Sequence, residues 1–222
     1  MQIRTSNIIY NISKEELIEK HYISEGDEAM VYKFGSDVFK LYKPNCPKHR
    51  LSEEDIRYLM QIRNDRILLP NEVIYIDEKF GGYKMPYIVA SSKTYVKKMK
   101  MIDIYAQLQI IKEDLLKLKD CNVLIYDLHN ENYIFNGGMY FIDPGSYMIK
   151  NELQSRYIEI LNRELMREFI LKNVFYKYCN LNLWQKEKLY NHISIDNYIC
   201  DTIDCDMDPN ETLYQYVKRI VK

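Results

Sequence analysis

What most constrains the fold is a change in hydrophobic period part-way along the chain, from the strand-like period of two to the helical period of 3.6. A short helix, Lys14–Lys20, comes first, opened by Ser13 with Glu16 three residues on as a capping box. Tyr22–Ser24, Met30–Phe34 and Asp37–Tyr42 then read as three short strands, with Gly26 and Gly35 at their turns. Leu51–Arg63 reads as a helix, opened by Ser52 and carrying Glu53, Glu54 and Asp55 in the first turn, where the helix dipole favours anions. Two more strands, Glu72–Asp77 and Tyr83–Val89, flank a Gly81-Gly82 turn. Beyond them Ile104, Leu108, Ile111, Leu115 and Leu118 recur at spacings of four and three, the stripe of a long amphipathic helix. Tyr133–Phe135 and Met139–Ile142 form a strand pair across Asn136-Gly137-Gly138. Ile158, Leu161, Leu165 and Phe169 mark another helix face, and a further helical pattern follows Leu183. A strand-rich half followed by a helix-rich half predicts the α+β class.

Composition bounds the partners. With 222 residues, 47% of them hydrophobic, the chain can bury one sizeable core or two small lobes. The formal net charge of -1 gives no basic footprint for nucleic acid or an anionic membrane. No apolar run approaches the roughly 20 residues that span a bilayer, and Met1–Tyr10 lacks the pattern of a leader, so a cytoplasmic protein is expected. Cys46, Cys121, Cys179, Cys200 and Cys205 are odd in number and contain no C-x-x-C pair, which predicts free thiols. The alternation Asp204, Asp206, Asp208 is not a calcium loop, because Pro209 and Gln215 stand where Gly and Glu are needed. Lys93, Lys97, Lys98 and Lys100 read as a solvated face.

The chemistry concentrates in Ile125-Tyr126-Asp127-Leu128-His129-Asn130-Glu131-Asn132, followed at the end of the strand pair by Asp143-Pro144-Gly145. This resembles the catalytic loop and metal-binding triplet of the protein-kinase-like superfamily, an Asp, an Asn five positions later, and an Asp-x-Gly. The resemblance implies that Asp127 faces an acceptor hydroxyl and takes its proton, while Asn132 and Asp143 hold Mg²⁺. One Asp and one Asn suit that ion, which takes oxygen ligands and only one or two carboxylates beside substrate phosphates. Gly145 is then expected to let the chain turn away in a positive-φ conformation.

Upstream residues extend the resemblance. Ser24-Glu25-Gly26-Asp27-Glu28-Ala29-Met30-Val31 is similar to the glycine-rich loop, keeping only its middle glycine, Gly26. Val31 would then cover the adenine, and Val38-Phe39-Lys40 resembles the strand whose lysine contacts the α- and β-phosphates. The acidic partner of Lys40 is expected on the Leu51–Arg63 helix. Counting back from Leu59 and Ile62 favours Asp55, and side-chain length favours Glu54. Lys84-Met85-Pro86-Tyr87-Ile88 resembles the hinge that hydrogen-bonds adenine, with Pro86 at the carbonyl position and Ile88 at the N–H position. Ile134, just after the loop, joins Met85 among the residues the resemblance sets around the nucleotide.

Departures shape the expected function. Ile125-Tyr126 stands in place of His-Arg before the catalytic Asp, which argues against control by a phosphorylated activation loop. His129 gives a D-L-H-x-x-N form that also resembles aminoglycoside and choline kinases. Pro144 replaces the usual Phe and predicts a less mobile triplet. Only Ser146–Lys222 follow, with no A-P-E motif, so the resemblance implies a minimal two-lobed fold. Its antiparallel-sheet N-lobe would end near Tyr87, with a reduced helical C-lobe over residues 88–222 of a single domain. The implied activity is ATP–Mg²⁺-dependent phosphoryl transfer, with Ser or Thr on a protein as the favoured acceptor. A small-molecule kinase, a pseudokinase scaffold and an adenylyl transferase stay open beside it.

Overall fold

The computed structural model describes residues 1–45, 51–91, 93–194 and 196–222, with only the backbone of residues 93–95 and 130. It is mixed α and β, with one antiparallel seven-stranded sheet and a set of helices. Contacts divide the chain into two units. One comprises Met1–Asn64, Leu68–Val89 and Ile142–Tyr147; the other comprises Asp65–Ile67, Ala90–Phe141 and Met148–Lys222.

The first unit holds β1 (Gln2–Arg4), β2 (Ile9–Asn11), α1 (Lys14–His21), β3 (Tyr22–Glu25), β4 (Ala29–Phe34), β5 (Asp37–Tyr42), α2 (Glu53–Leu59), β6 (Glu72–Ile76) and β7 (Lys79–Pro86). Its sheet order is β2-β1-β6-β7-β5-β4-β3. Alternation on β5 sends Phe39 and Leu41 into a core with Ile3, Leu17, Tyr32, Phe34 and Ile74. Tyr10 adds rings against Phe34 and Phe39. Ser13 caps α1 by accepting from Glu16 N, but the Glu16 carboxylate reaches forward to Lys20, so only half of the expected capping box forms.

Three expectations change. β1 and β2 join the sheet although three-residue strands carry too little pattern to read. Helix α2 stops at Leu59 rather than running to Arg63. The turn between β6 and β7 falls at Asp77 and Glu78, both with positive φ, while Gly81 and Gly82 lie inside β7. The physical reason is crowding: Gly82 has φ 144°, and a Cβ there would lie 1.9 Å from the Lys40 carbonyl on the neighbouring strand. Two adjacent glycines mark close strand packing here and not a reversal.

The second unit holds α3 (Met101–Asp120), β8 (Val123–Leu124), β9 (Tyr133–Phe135), β10 (Met139–Phe141), β11 (Met148–Ile149), α4 (Ser155–Ile170), α5 (Lys177–Cys179), α6 (Leu183–His192), α7 (Ile199–Asp204) and α8 (Leu213–Ile220). All five stripe residues of α3 are buried. β9 and β10 pair across Asn136-Gly137-Gly138 as the turn signal indicates, and Gly137 takes φ 62°. On α4 the expected face is met in part: Ile158 and Phe169 are buried and Leu165 is half-buried, but Leu161 is 40% exposed, and Asn162, Met166 and Ile170 join the buried side, Asn162 with backbone partners inside the unit. A π-helical stretch, Leu171–Tyr176, carries α4 into α5. Buried Asp114 on α3 accepts from the amides of Asp65, Arg66 and Ile67, pinning that segment to the helix.

Among the described residues no helix is long and apolar enough to cross a membrane. Cys121, Cys179, Cys200 and Cys205 are free thiols, and Cys46 lies outside the described residues. Of the lysine cluster, Lys97, Lys98 and Lys100 are exposed, and the side chain of Lys93 lies outside the described set.

Candidate functional site

In the first unit, strand register decides which side chains share a face. β5 pairs with β4 and β7 so that Val31 and Tyr83 both lie opposite Lys40, and Met85 lies opposite Val38. Directly paired residues point to one side of a sheet, as do residues two apart on a strand. Val31, Val38, Lys40, Tyr83 and Met85 therefore share the face opposite the Phe39–Leu41 core. Pro86 sits one step further along β7 opposite Asp37, and Tyr87 N donates to Ser36 O. Ile88 follows, half-buried. Lys84, on the other face of β7, pairs with Glu72 at 2.5 Å. Burial pushes the Glu72 carboxyl up, but hydrogen bonds from Lys84 and Ser6 outweigh it and hold it below the usual range.

Asp143, far along the chain, is delivered to this unit, where its Oδ1 forms an ion pair with Lys40 Nζ. Asp143 has φ 68° and caps the 3-10 turn Pro144–Ser146 by accepting from Gly145 N at 3.3 Å. Pro144 fits the first position of that turn, where no N–H is needed. The positive φ expected at Gly145 is instead carried by Asp143. Gly145 is closely surrounded: a Cβ there would lie 3.0 Å from Asp143 Oδ1, 3.1 Å from Glu28 Oε2 and 3.7 Å from the Tyr83 hydroxyl, so these side chains would have to give by a few tenths of an ångström. Tyr83 is 1% exposed, its hydroxyl has no hydrogen-bond partner among the described residues, and Lys40 Nζ lies 5.9 Å from its ring centre. Burial, with the charges of Asp143 and Glu28 beside it, pushes the phenol well above its ordinary pKa.

The helix acids are not brought to Lys40. Asp55 Oδ2 accepts from Ser52 N at 2.9 Å and Ser52 Oγ at 2.7 Å, completing the capping box of α2. Glu54 is exposed, and Glu53 binds Arg57 and Tyr75. An acid at the third helical position is committed to the cap, which first-turn charge counting does not register. Gly26 opens β4 through a bond from its N to Ala29 O at 3.0 Å. A Cβ on Gly26 would meet nothing within 4 Å, and its φ is not positive, so no contact within the protein demands glycine there.

In the second unit, Asp127 is exposed with φ 56°, a conformation that costs a non-glycine residue energy. Buried Asn132 donates from Nδ2 to the Asp127 carbonyl at 2.9 Å, which spends the donor end of the amide on the loop and leaves Oδ1 as the end available to a cation. His129 Nε2 lies 3.9 Å from Asp127 Oδ2, and His129 Nδ1 accepts from Glu131 N. Ile134 is half-buried in β9. The loop begins from a fixed point, because Asn162 Oδ1 accepts from Ile125 N at 2.8 Å and its Nδ2 donates to Val123 O at 2.9 Å.

Glu28, Tyr83 and Asn162 are the residues here that sequence reasoning did not single out. Glu28 stood inside the quoted glycine-poor stretch, and a polar residue on the buried line of α4 was the available signal for Asn162. Among the described residues no group of three or more His, Cys, Asp or Glu gathers around one point. Asp143 in the first unit and Asn132 in the second each carry a side-chain oxygen, the ligand type that a hard cation takes. No protein-family model matches the chain, and no curated protein matches it significantly.

Proposed function

We propose that the protein is an ATP–Mg²⁺-dependent phosphotransferase with a kinase-like bilobal fold, acting on a Ser or Thr hydroxyl of a protein. The observation that carries this reading is the ion pair of Lys40 with Asp143, two residues remote in sequence that the expected roles require in one place. The shared sheet face of Val31, Val38, Lys40 and Met85 supports it, offering apolar contact for a base and a cation for its phosphates.

On this reading Lys40 exchanges its contact with Asp143 for the α- and β-phosphates as nucleotide binds, which frees the carboxylate. Asp143, and Asn132 through its Oδ1, would be the residues to hold Mg²⁺ on this reading. The ion neutralises phosphate charge when bound. The Asn132 bond to the Asp127 carbonyl holds the loop so that the Asp127 carboxylate orients the acceptor hydroxyl and accepts its proton. Positioning and charge then account for most of the rate.

Transfer of labelled γ-phosphate from ATP–Mg²⁺ to a host-type lysate and to a metabolite pool tests the reading. Wild type labels a protein, and Asp127→Asn lowers the rate by about 10²-fold or more, the usual weight of a positioned base. Label in a metabolite selects small-molecule phosphorylation. Bound nucleotide with no labelled acceptor rejects phosphoryl transfer for a nucleotide-binding scaffold.

A further inference from the structure

We propose that a lysine-rich surface of the second unit docks on an anionic lipid membrane, with Leu183 and Trp184 entering the boundary between headgroups and acyl chains. Four elements of that unit adjoin there: the 3-10 turn Lys93–Lys98, α5 and α8 pack against one another, and α6 packs on α8. They carry Lys97, Lys98, Lys177, Lys186, Lys188 and Lys218 against one acid, Glu187. The chain's net charge of -1 thus conceals a one-sided distribution. Lys97 and Lys218, remote in sequence, both act on the Cys179 thiol of α5, which burial raises to about 11 against their pull. Asp206 and Glu211, which precede α8, are taken up by His192, Tyr216 and Arg219.

Apolar side chains stand out among these lysines. Asn180 turns the chain with φ 49°, and the capping box of Asn182 with Gln185 fixes the start of α6, so that Leu183 is 84% and Trp184 58% exposed, while Leu189 supplies the buried contact of the helix. Lys188 Nζ lies 5.1 Å from the Trp184 ring centre, and Lys218 Nζ lies 5.5 Å from that of Tyr214, which is 45% exposed. Aromatic rings and leucine beside lysines are what a headgroup layer accepts: rings and hydrocarbon enter it, and ammonium groups meet lipid phosphates at its surface. Protein interfaces are depleted in lysine. Nucleic-acid phosphates and base edges favour the arginine fork, and Arg219, the arginine of these elements, is bound to Glu211 and the Asp206 carbonyl. The lipid surface is therefore the occupant that uses both the charge and the exposed leucine.

Trp184 is the chain's single tryptophan, so its emission reports on this surface alone. The test is co-sedimentation of the full chain with vesicles of phosphatidylcholine, with and without phosphatidylserine, while that emission is followed. Wild type partitions onto the phosphatidylserine vesicles with a blue shift of Trp184, and added salt weakens the partition. Leu183→Ser lowers it by about tenfold, the worth of burying one leucine side chain, and Lys97→Glu with Lys98→Glu lowers it by at least about tenfold. The three substituted side chains are exposed, and thermal melts establish that the variants are folded; should one not fold, the other carries the test. No partition by wild type, partition without a blue shift, or equal partition of the folded variants overturns the proposal. Retention of a single-stranded RNA or an acidic peptide with no vesicle binding also overturns it and gives the surface to that partner. None of these readouts depends on phosphoryl transfer.

Discussion

Gly82 shows how much one missing side chain does for this molecule. Its φ of 144° is closed to other residues, and a Cβ would fall into the Lys40 carbonyl, the backbone that presents the lysine paired with Asp143. Gly82→Ala is therefore expected to cost more than about 2 kcal/mol through strain and clash together, read as a fall in the urea midpoint. A change within error would mean that β5 and β7 yield there. In sequence the Gly81-Gly82 pair reads as a turn, because glycine marks both reversals and close strand approach and only tertiary contact separates them. Asp55 is a similar case: its charge and helix position suit a lysine partner, but Ser52 three residues earlier takes it for the cap. The meeting of Lys40 with Asp143 was legible through order and spacing. The approach of Glu28 and Tyr83 to Gly145 was not, since nothing local to either announces it.

Among the elements, α4 bears most on the candidate loop through Asn162, which is fully buried and makes both of its amide bonds to backbone around β8. Removing it strands the Ile125 N–H and the Val123 carbonyl without partners, each a desolvation cost of about 1–3 kcal/mol. Asn162→Ala should accordingly lose about 2–5 kcal/mol in urea unfolding, and faster amide exchange should localise to residues 123–127. Uniform loss with no change in exchange there would contradict a role in seating the loop. Element existence was largely legible, since α3, the β9–β10 pair and the central strands carry enough repeats to fix a period. On α4 the burial of Ile158 and Phe169 was legible and that of Asn162 was not, because counting apolar residues favours Leu161 and misses a buried Asn whose partners are backbone groups. The strands β1, β2, β8 and β11, two or three residues each, exist through pairing that no local pattern encodes.

On the scale of the whole chain, Ile142–Tyr147 is assigned to the sheet unit although the residues on either side of it belong to the helical one. That return brings Asp143 to Lys40, and it is a property of topology that periodicity alone does not carry. Under the proposed function this pair marks the phosphate and metal ends of one nucleotide site. Calorimetric titration of ATP–Mg²⁺ into wild type and Lys40→Met is the decisive test. Saturable binding to wild type is expected, with a dissociation constant raised by at least about tenfold in the variant, the worth of one charged hydrogen bond, and the melting temperature little changed. Equal affinities, or no binding by wild type, would rule the nucleotide site out.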